Sequence, residues 1–363
     1  MSGPMEISEI SDHLQGWLEE RLGDVQQLET TNFTSPKIGY SSMTLLFDLR
    51  YRVKGESMTE PLVLRMEPQG IPIFSRYDLR LQYRIMKTLA GSDVPVPRVR
   101  WFEDERSLLG SPFYVMDQIA GEVPADNPPY HTQGWLMEQD PELRRTIWLS
   151  GIAAMARINR LNHRDFDLAF LDEPDLGPTP IEQHINLYER HIDWGLERRR
   201  FPLLDTALGW LRDNLLADEP TGFTWGDARI SNQIYQGGDC VAVLDWEMAR
   251  LGNPVQDVAY WLVMDHCLSE GIGVARLEGL PDEAETLSHW ERISGHRAEA
   301  EPLLFYKIFA AFCFTFVMAR VMTREKQQGT MPAENPYDVD NLASQALAQL
   351  LEQAGVTAHQ AER

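Results

Sequence analysis

The stretch Trp225–Asn232, WGDARISN, sets an aspartate, an arginine and an asparagine at offsets of zero, two and five. Thirteen residues past the asparagine, a second phrase, VAVLDWE, supplies Asp245. Carboxylate and amide oxygens are hard ligands that suit Mg²⁺, an ion that keeps several waters and completes its shell with substrate phosphates. Asn232 and Asp245 are therefore the candidate metal ligands. Asp227 sits on a turn opened by Gly226 and is placed to face a bound hydroxyl instead. One carboxylate that orients a nucleophile, with an amide and a second carboxylate for a phosphate-neutralising ion, is equipment for phosphoryl transfer. Arg229 adds a cation that can meet the transferred phosphoryl group as charge moves onto it.

This chemistry requires Asn232 and Asp245 to come together, and the segment NQIYQGGDCVAVLDW supplies the means. Two short apolar strands flank Gly237–Gly238, a tight-turn signal, so a hairpin brings the two side chains close. Taken singly, Asp227 reads as the cap of a short turn and Asn232 as the cap of the hairpin. Their combination with Asp245, and with Asp257 in GNPVQDVAY twelve residues further on, favours a site.

A triphosphate also needs a clamp, and the N-terminal part has the elements for one. SSMTLLFDLRYRV alternates with period two, KGES is a turn and PLVLRMEP a second strand, which predicts an antiparallel hairpin over 41–66. Val63 and Arg65 share a face of the second strand, the first to lie on adenine, the second to reach phosphate oxygens. Gly39, with Ser41 and Ser42 beside it, offers a turn whose backbone N–H groups can cover phosphates. A helix over 77–90 supplies Gln82 as a polar partner for Arg65. A helix is also expected over 5–29, lying on a sheet edge, and a further strand in SPFYVMDQIAGE.

After GEVPADNPPY (121–130) the pattern becomes helical, with helices expected over 141–160, 182–199, 203–217, 283–299 and 302–325, and the last thirty residues loosely held. The predicted class is α+β: a small antiparallel-sheet lobe over 1–118 that clamps nucleotide, and a large helical lobe over 119–363. Two lobes also suit a chain of 363 residues.

Bulk properties exclude other classes. A formal charge of −22 argues against nucleic acid as a partner. The most apolar segment, LLFYKIFAAFCFTFVMARV (303–321), is interrupted by Lys307 and reads as a buried helix, not a bilayer span, so no membrane partner is expected. Cys240, Cys267 and Cys313 are widely spaced among apolar neighbours, as in buried thiols of a reducing compartment. No N-terminal stretch joins a basic start to an apolar run, so the expected location is cytoplasmic.

With these motifs the chain resembles the aminoglycoside phosphotransferase and choline kinase superfamily. It is most similar to the subgroup that forms the N-terminal kinase-like domain of acyl-CoA dehydrogenase family members 10 and 11. GDARISN, VAVLDWEMARLGNPVQDVA and FYVMDQIAGEVP carry the resemblance over about residues 25–340. It implies a two-lobed protein-kinase-like fold, ATP and Mg²⁺ as cofactors, and a small-molecule acceptor bearing a hydroxyl. By this similarity Asp227 orients the acceptor, Asn232 and Asp245 hold the ion, and Asp257 braces the catalytic loop. FYVMDQI is then the link between lobes, where the backbone around Met116, Asp117 and Ile119 meets adenine. An aminoglycoside-like acceptor would suit carboxylates such as Glu182 or Asp193, and a hydroxy acid or hydroxyacyl-CoA the arginines of ERRR (197–200).

Three departures are visible. Trp225 replaces a histidine of the family phrase, and an aromatic can supply that residue's packing but not its hydrogen bonds. Asn253 stands where aspartate is usual. Gln82 occupies the region of a glutamate, and a neutral partner would hold Arg65 less firmly. All three fit subgroup differences; the alternative is a weakened kinase-like protein that binds nucleotide as a regulator or scaffold. His163-Arg164-Asp165 spells the protein-kinase triplet, but Phe170 stands where the metal ligand would, so these groups are expected to pack at the end of helix 141–160.

Overall fold

The computed structural model describes residues 5–35, 43–68, 70–196 and 201–356, in two compact units. The first comprises residues up to 72, 76–91 and 96–120; the second comprises 73–75, 92–95 and everything from 121.

In the first unit, α1 (Ile7–Leu22) is followed by β1 (Gln26–Thr34), β2 (Met43–Val53) and β3 (Glu56–Met66). Then come α2 (Leu79–Leu89), β4 (Val99–Glu103), the single-turn α3 (Arg106–Leu109) and β5 (Phe113–Asp117). The strands form one antiparallel sheet in the order β1-β2-β3-β5-β4. Period-two alternation sends Leu45, Phe47, Leu49, Leu62, Leu64, Met66, Phe113 and Val115 to one face, where they are buried with Ile10, Leu14, Trp17 and Leu18 of α1. Each such side chain contributes roughly 1.5–3 kcal/mol by leaving water. The helix expected over 5–29 is thus corrected twice. It stops at Gly23, whose φ of 67° breaks the helix, so the rest becomes β1, and α1 covers the sheet's face, not its edge. The other face carries Val63, Arg65, Tyr114 and Met116, with α2 packed on β4 and β5.

The second unit begins with a loop that contains the single-turn α4 (Trp135–Glu138), then α5 (Pro141–Arg160), capped by Asp140 with proline at its first turn. Next are α6 (Pro180–Gly195), α7 (Pro202–Asp213), β6 (Gly222–Thr224), β7 (Gln233–Gln236), β8 (Asp239–Val243) and β9 (Arg250–Gly252). It ends with α8 (Val255–Cys267), α9 (Glu283–Ser294), α10 (Ala300–Gln328) and α11 (Leu342–Gln353). Helix α8 escaped the sequence reading because it is buried on nearly every side and shows no single apolar stripe. The C-terminal region is not loosely held throughout: Asn341 caps α11, which buries Ala343, Ala346, Leu347 and Leu351. Helix α10 is long and apolar enough to cross a membrane, contrary to the length argument from Lys307, but 72% of its most apolar window is buried inside the protein. Cys240, Cys267 and Cys313 are free thiols, and burial pushes Cys240 and Cys267 up to about 12.

Candidate active site

The loop 225–232 leaves β6, which pairs with β9. Gly226 turns the chain at φ 87°, and a Cβ there would come within 2.2 Å of the Met248 main-chain oxygen, so only glycine fits. Asp257, at the start of α8, accepts from the backbone N–H of Trp225 (2.8 Å) and Gly226 (2.9 Å). It is itself held by the Asn159 amide at 2.6 Å, and Asn159 Oδ1 accepts from the Trp290 indole at 2.8 Å. The expected bracing by Asp257 is therefore the inner end of a chain running from α9 through α5 to the loop. Burial pushes the Asp257 pKa up to about 6, although the hydrogen bonds from Trp225, Gly226 and Asn159 pull the other way. Asn159 escaped the sequence reading; its only signal was a polar residue on an apolar helix face.

β7 and β8 form the expected hairpin, and the Leu244 N–H extends the pairing to the Asn232 main-chain oxygen at 2.9 Å. Asp245, the next residue, holds a left-handed backbone at φ 59°, an uncommon state that Asp and Asn tolerate best and that clusters at functional sites. The indole of Trp225 donates to the main-chain oxygens of Leu244 (2.8 Å) and Asp245 (3.2 Å). Trp225 thus brings hydrogen bonds of its own as well as packing. The indole N–H ties the loop of Asp227 to the strand end that carries Asp245.

Asp227 is 5% exposed, and its Oδ2 accepts from the Asn232 amide at 2.7 Å and pairs with Arg229 at 2.9 Å. The Asn232 nitrogen also donates to the Asp227 main-chain oxygen at 3.1 Å, so Oδ1 is the amide's acceptor atom. The buried phenol of Tyr260 is a further hydrogen-bond partner of Asp227; burial first, then the Asp227 charge, hold its pKa well above the ordinary tyrosine value. Arg229 pairs a second time, with Asp126 at 2.9 Å. Burial works against the guanidinium's charge, but Asp227 and Asp126 hold its pKa above the ordinary arginine value. Burial likewise raises the Asp126 carboxyl against the pull of Arg229. Asp126 lies in the Pro-rich stretch read only as a link, and nothing in its sequence pattern marked it. Its loop is fixed at both ends. Glu122 exchanges backbone hydrogen bonds with Tyr235 at 2.9 Å, and Tyr130 and His131 reach Asp265 at 2.7 and 3.0 Å.

The donor set fits Mg²⁺ in association with phosphates. Asn232 offers an amide oxygen and Asp245 a carboxylate beside it in the fold, and among the described residues no group of three His, Cys, Asp or Glu side chains could hold an ion unaided. One carboxylate and one amide are too few for a site made of protein alone, whereas Mg²⁺ takes its remaining ligands from water and phosphate.

In the first unit, Val63 stands opposite Met116 and Arg65 opposite Tyr114 in the β3–β5 ladder, so these four share a face. Arg65 donates to Thr44 Oγ1 at 3.0 Å, while Gln82 accepts from the Tyr114 hydroxyl at 3.4 Å. The N–H of Asp117 is committed to the Arg98 oxygen (2.9 Å) and that of Gln118 to Pro61 (3.1 Å). Asp117 is therefore not available to a base through its N–H, and its side chain pairs with Arg100. Ile119 follows just beyond the strand. Gly39, Ser41 and Ser42 lie outside the described residues, as do 197–200.

Other candidates are not drawn into the site's hydrogen bonds. α5 ends at Arg160, and Asp165 is exposed, not packed, so the kinase-like triplet is a surface turn. Glu182 is half-buried and accepts from Thr179, the cap of α6, and Asp193 is exposed on the same helix. Asn253 donates to Glu219 at 3.0 Å and accepts from the Val255 N–H, a loop role.

Comparison with known proteins gives a consistent picture. A profile described as the phosphotransferase enzyme family matches residues 47–296. Over 202 residues the chain is 30% identical to acyl-CoA dehydrogenase family member 10 of Mus musculus, covering 55% of this chain and 18% of that protein. Acyl-CoA dehydrogenase family member 11 of Homo sapiens is 23% identical over 295 residues, 79% of this chain and 34% of its own. The chain thus spans well under half the length of these curated relatives. Among solved structures, one from Ralstonia eutropha, provisionally named an aminoglycoside phosphotransferase, aligns with a TM-score of 0.66 at 22% identity, over 97% of this chain and 98% of that one. A thermostable mutant of aminoglycoside phosphotransferase APH(4)-Ia, in complex with AMP-PNP and hygromycin B, aligns with a TM-score of 0.54 at 16% identity, over 95% and 99%. These likenesses show a two-lobed, protein-kinase-like α+β fold.

Proposed function

Since the matched profile spans more than half of its length, the chain belongs to the phosphotransferase enzyme family, and we propose that it is a Mg·ATP-dependent kinase transferring the γ-phosphate to a hydroxyl of a small molecule. The observation that carries this reading is the Oδ2 of Asp227, engaged by both Asn232 and Arg229. That engagement fixes the carboxylate, which accepts the proton of the acceptor hydroxyl as the oxygen attacks. Asn232 and Asp245 would hold the ion, which when bound offsets phosphate charge. Arg229 stays charged between its two carboxylates and stabilises charge developing on the transferred group. Asp257 and Trp225 keep the loop in place through backbone contacts, so its geometry exists before substrate arrives. In the first unit, Val63 and Met116 offer an apolar face for adenine, Ile119 a backbone donor, and Arg65 a forked donor for phosphate.

The acceptor is either aminoglycoside-like or a hydroxy acid or hydroxyacyl-CoA. A panel of both kinds, followed by ³¹P NMR with ATP, tests the reading and separates them. Wild type is expected to phosphorylate a member of the panel, and Asp227→Ala to lose transfer while keeping most of its nucleotide affinity. Nucleotide binding with no transfer across the panel would favour the regulatory or scaffold role instead.

A further inference from the structure

Among the described residues of the first unit, Gln82 is a buried polar group whose packing leaves a donor unmet. Gln82 is 1% exposed on α2, and among the described residues no hydrogen-bond acceptor meets its Nε2. Its other end is accounted for by the Tyr114 hydroxyl at 3.4 Å. A buried N–H without an acceptor is costly and rare, and a methionine would fill the same volume without that cost. The surroundings point to what the amide awaits. Tyr114 stands directly opposite Arg65 in the β3–β5 ladder, so the Gln82 amide at the tip of Tyr114 and the guanidinium of Arg65 rise from the same sheet face. A carboxylate at position 82 would neutralise a neighbouring guanidinium. An amide brings N–H donors to that face and no negative charge. Amide and guanidinium N–H donors on one face suit a ligand with several anionic oxygens.

We propose that Gln82 is a phosphate-binding residue: its Nε2 donates to a phosphate oxygen of the nucleotide on the Arg65 face of the sheet. The proposal rests on the nucleotide-binding reading above and deepens it. Residue 82 is then a ligand contact that the nucleotide completes, not an anchor for Arg65.

Calorimetric titrations of wild type, Gln82→Met and Gln82→Glu with Mg·AMP-PNP and with adenosine test this, alongside melting curves without nucleotide. Both variants are expected to bind AMP-PNP about ten- to a hundredfold more weakly, the range for a lost hydrogen bond to a charged group. Adenosine affinity should be unchanged, and Gln82→Met should melt no lower than wild type, since it removes an unsatisfied buried donor. Gln82→Glu binding AMP-PNP as tightly as wild type would overturn the proposal, because the residue would then act on Arg65 as a carboxylate does. Equal losses for adenosine and AMP-PNP, or a marked fall in the melting temperature of Gln82→Met, would assign Gln82 to structure alone. Wild type that binds no nucleotide would sink the kinase reading and this proposal together, whereas AMP-PNP binding undiminished in Gln82→Met would sink only this one.

Discussion

Asp126 and Arg229 form an ion pair at 2.9 Å although 103 positions separate them, and the guanidinium reaches Asp227 at the same distance. Arg229 is thus held by one carboxylate of its own loop and one from a loop fixed independently at both ends. Asp126→Asn removes the outer partner while keeping the shape. Turnover is expected to fall about tenfold, equivalent to ~1.4 kcal/mol of transition-state stabilisation, with little change in nucleotide affinity. Arg229→Gln, which removes the cation itself, should cost on the order of 10³-fold. Steady-state kinetics on both variants checks this, and wild-type turnover in Asp126→Asn would show the outer pair to be idle.

Trp225 makes a second test. Its indole N–H serves the main-chain oxygens of Leu244 and Asp245, and the ring is fully buried. Trp225→Phe keeps most of the ring volume and removes the donor, leaving two part-buried acceptors short of a partner at a cost of roughly 1 kcal/mol. The expected outcome is a lower melting temperature together with a raised requirement for Mg²⁺, because the strand end bearing Asp245 loses its tie. Melting curves and Mg²⁺ titrations measure the two effects; a melting change without any Mg²⁺ effect would confine Trp225 to packing.

Acidification should separate activity from stability at Asp257. Its folded pKa is raised to about 6, while an ordinary carboxyl titrates near 4. Between these values the folded chain binds a proton that the unfolded chain has released. This group's contribution therefore favours folding below pH ~4 and is lost as pH rises through about 6. The loop responds in the opposite sense. A protonated Asp257 carries an O–H where Trp225 or Gly226 needs an acceptor. Turnover is expected to drop as pH falls through about 6 without a matching drop in melting temperature, and Asp257→Asn should be slow at every pH with that inflection gone. An inflection that persists in Asp257→Asn would assign it to another group.

Much of this was legible in the sequence. Short-range patterns carried the β2–β3 and β7–β8 hairpins, α2 and α5, because alternation, helical spacing and turn residues act within a few positions. The grouping of Asp227 with Asn232 was readable for the same reason: they lie five residues apart on one loop. What stayed hidden depends on contacts distant in sequence. Asp126, Asn159 and Trp290 reach the loop across tens of residues, and their local patterns match those of ordinary turn and helix residues. The tie made by Trp225 is hidden in the same way, since its single indole donor meets main-chain oxygens 19 and 20 positions away. Helix α8 was missed because burial all round erases the stripe by which a helix is recognised.

The most direct test of the central claim, that Asn232 and Asp245 hold the ion which brings a triphosphate to Asp227, is the Mg²⁺ dependence of AMP-PNP binding in wild type and Asp245→Ala. Calorimetry should show wild-type affinity rising at least tenfold when Mg²⁺ is added, and Asp245→Ala losing most of that gain while its Mg²⁺-free affinity stays the same. Equal Mg²⁺ enhancement in both proteins would contradict the assignment of Asp245 and, with it, the site built around Asp227.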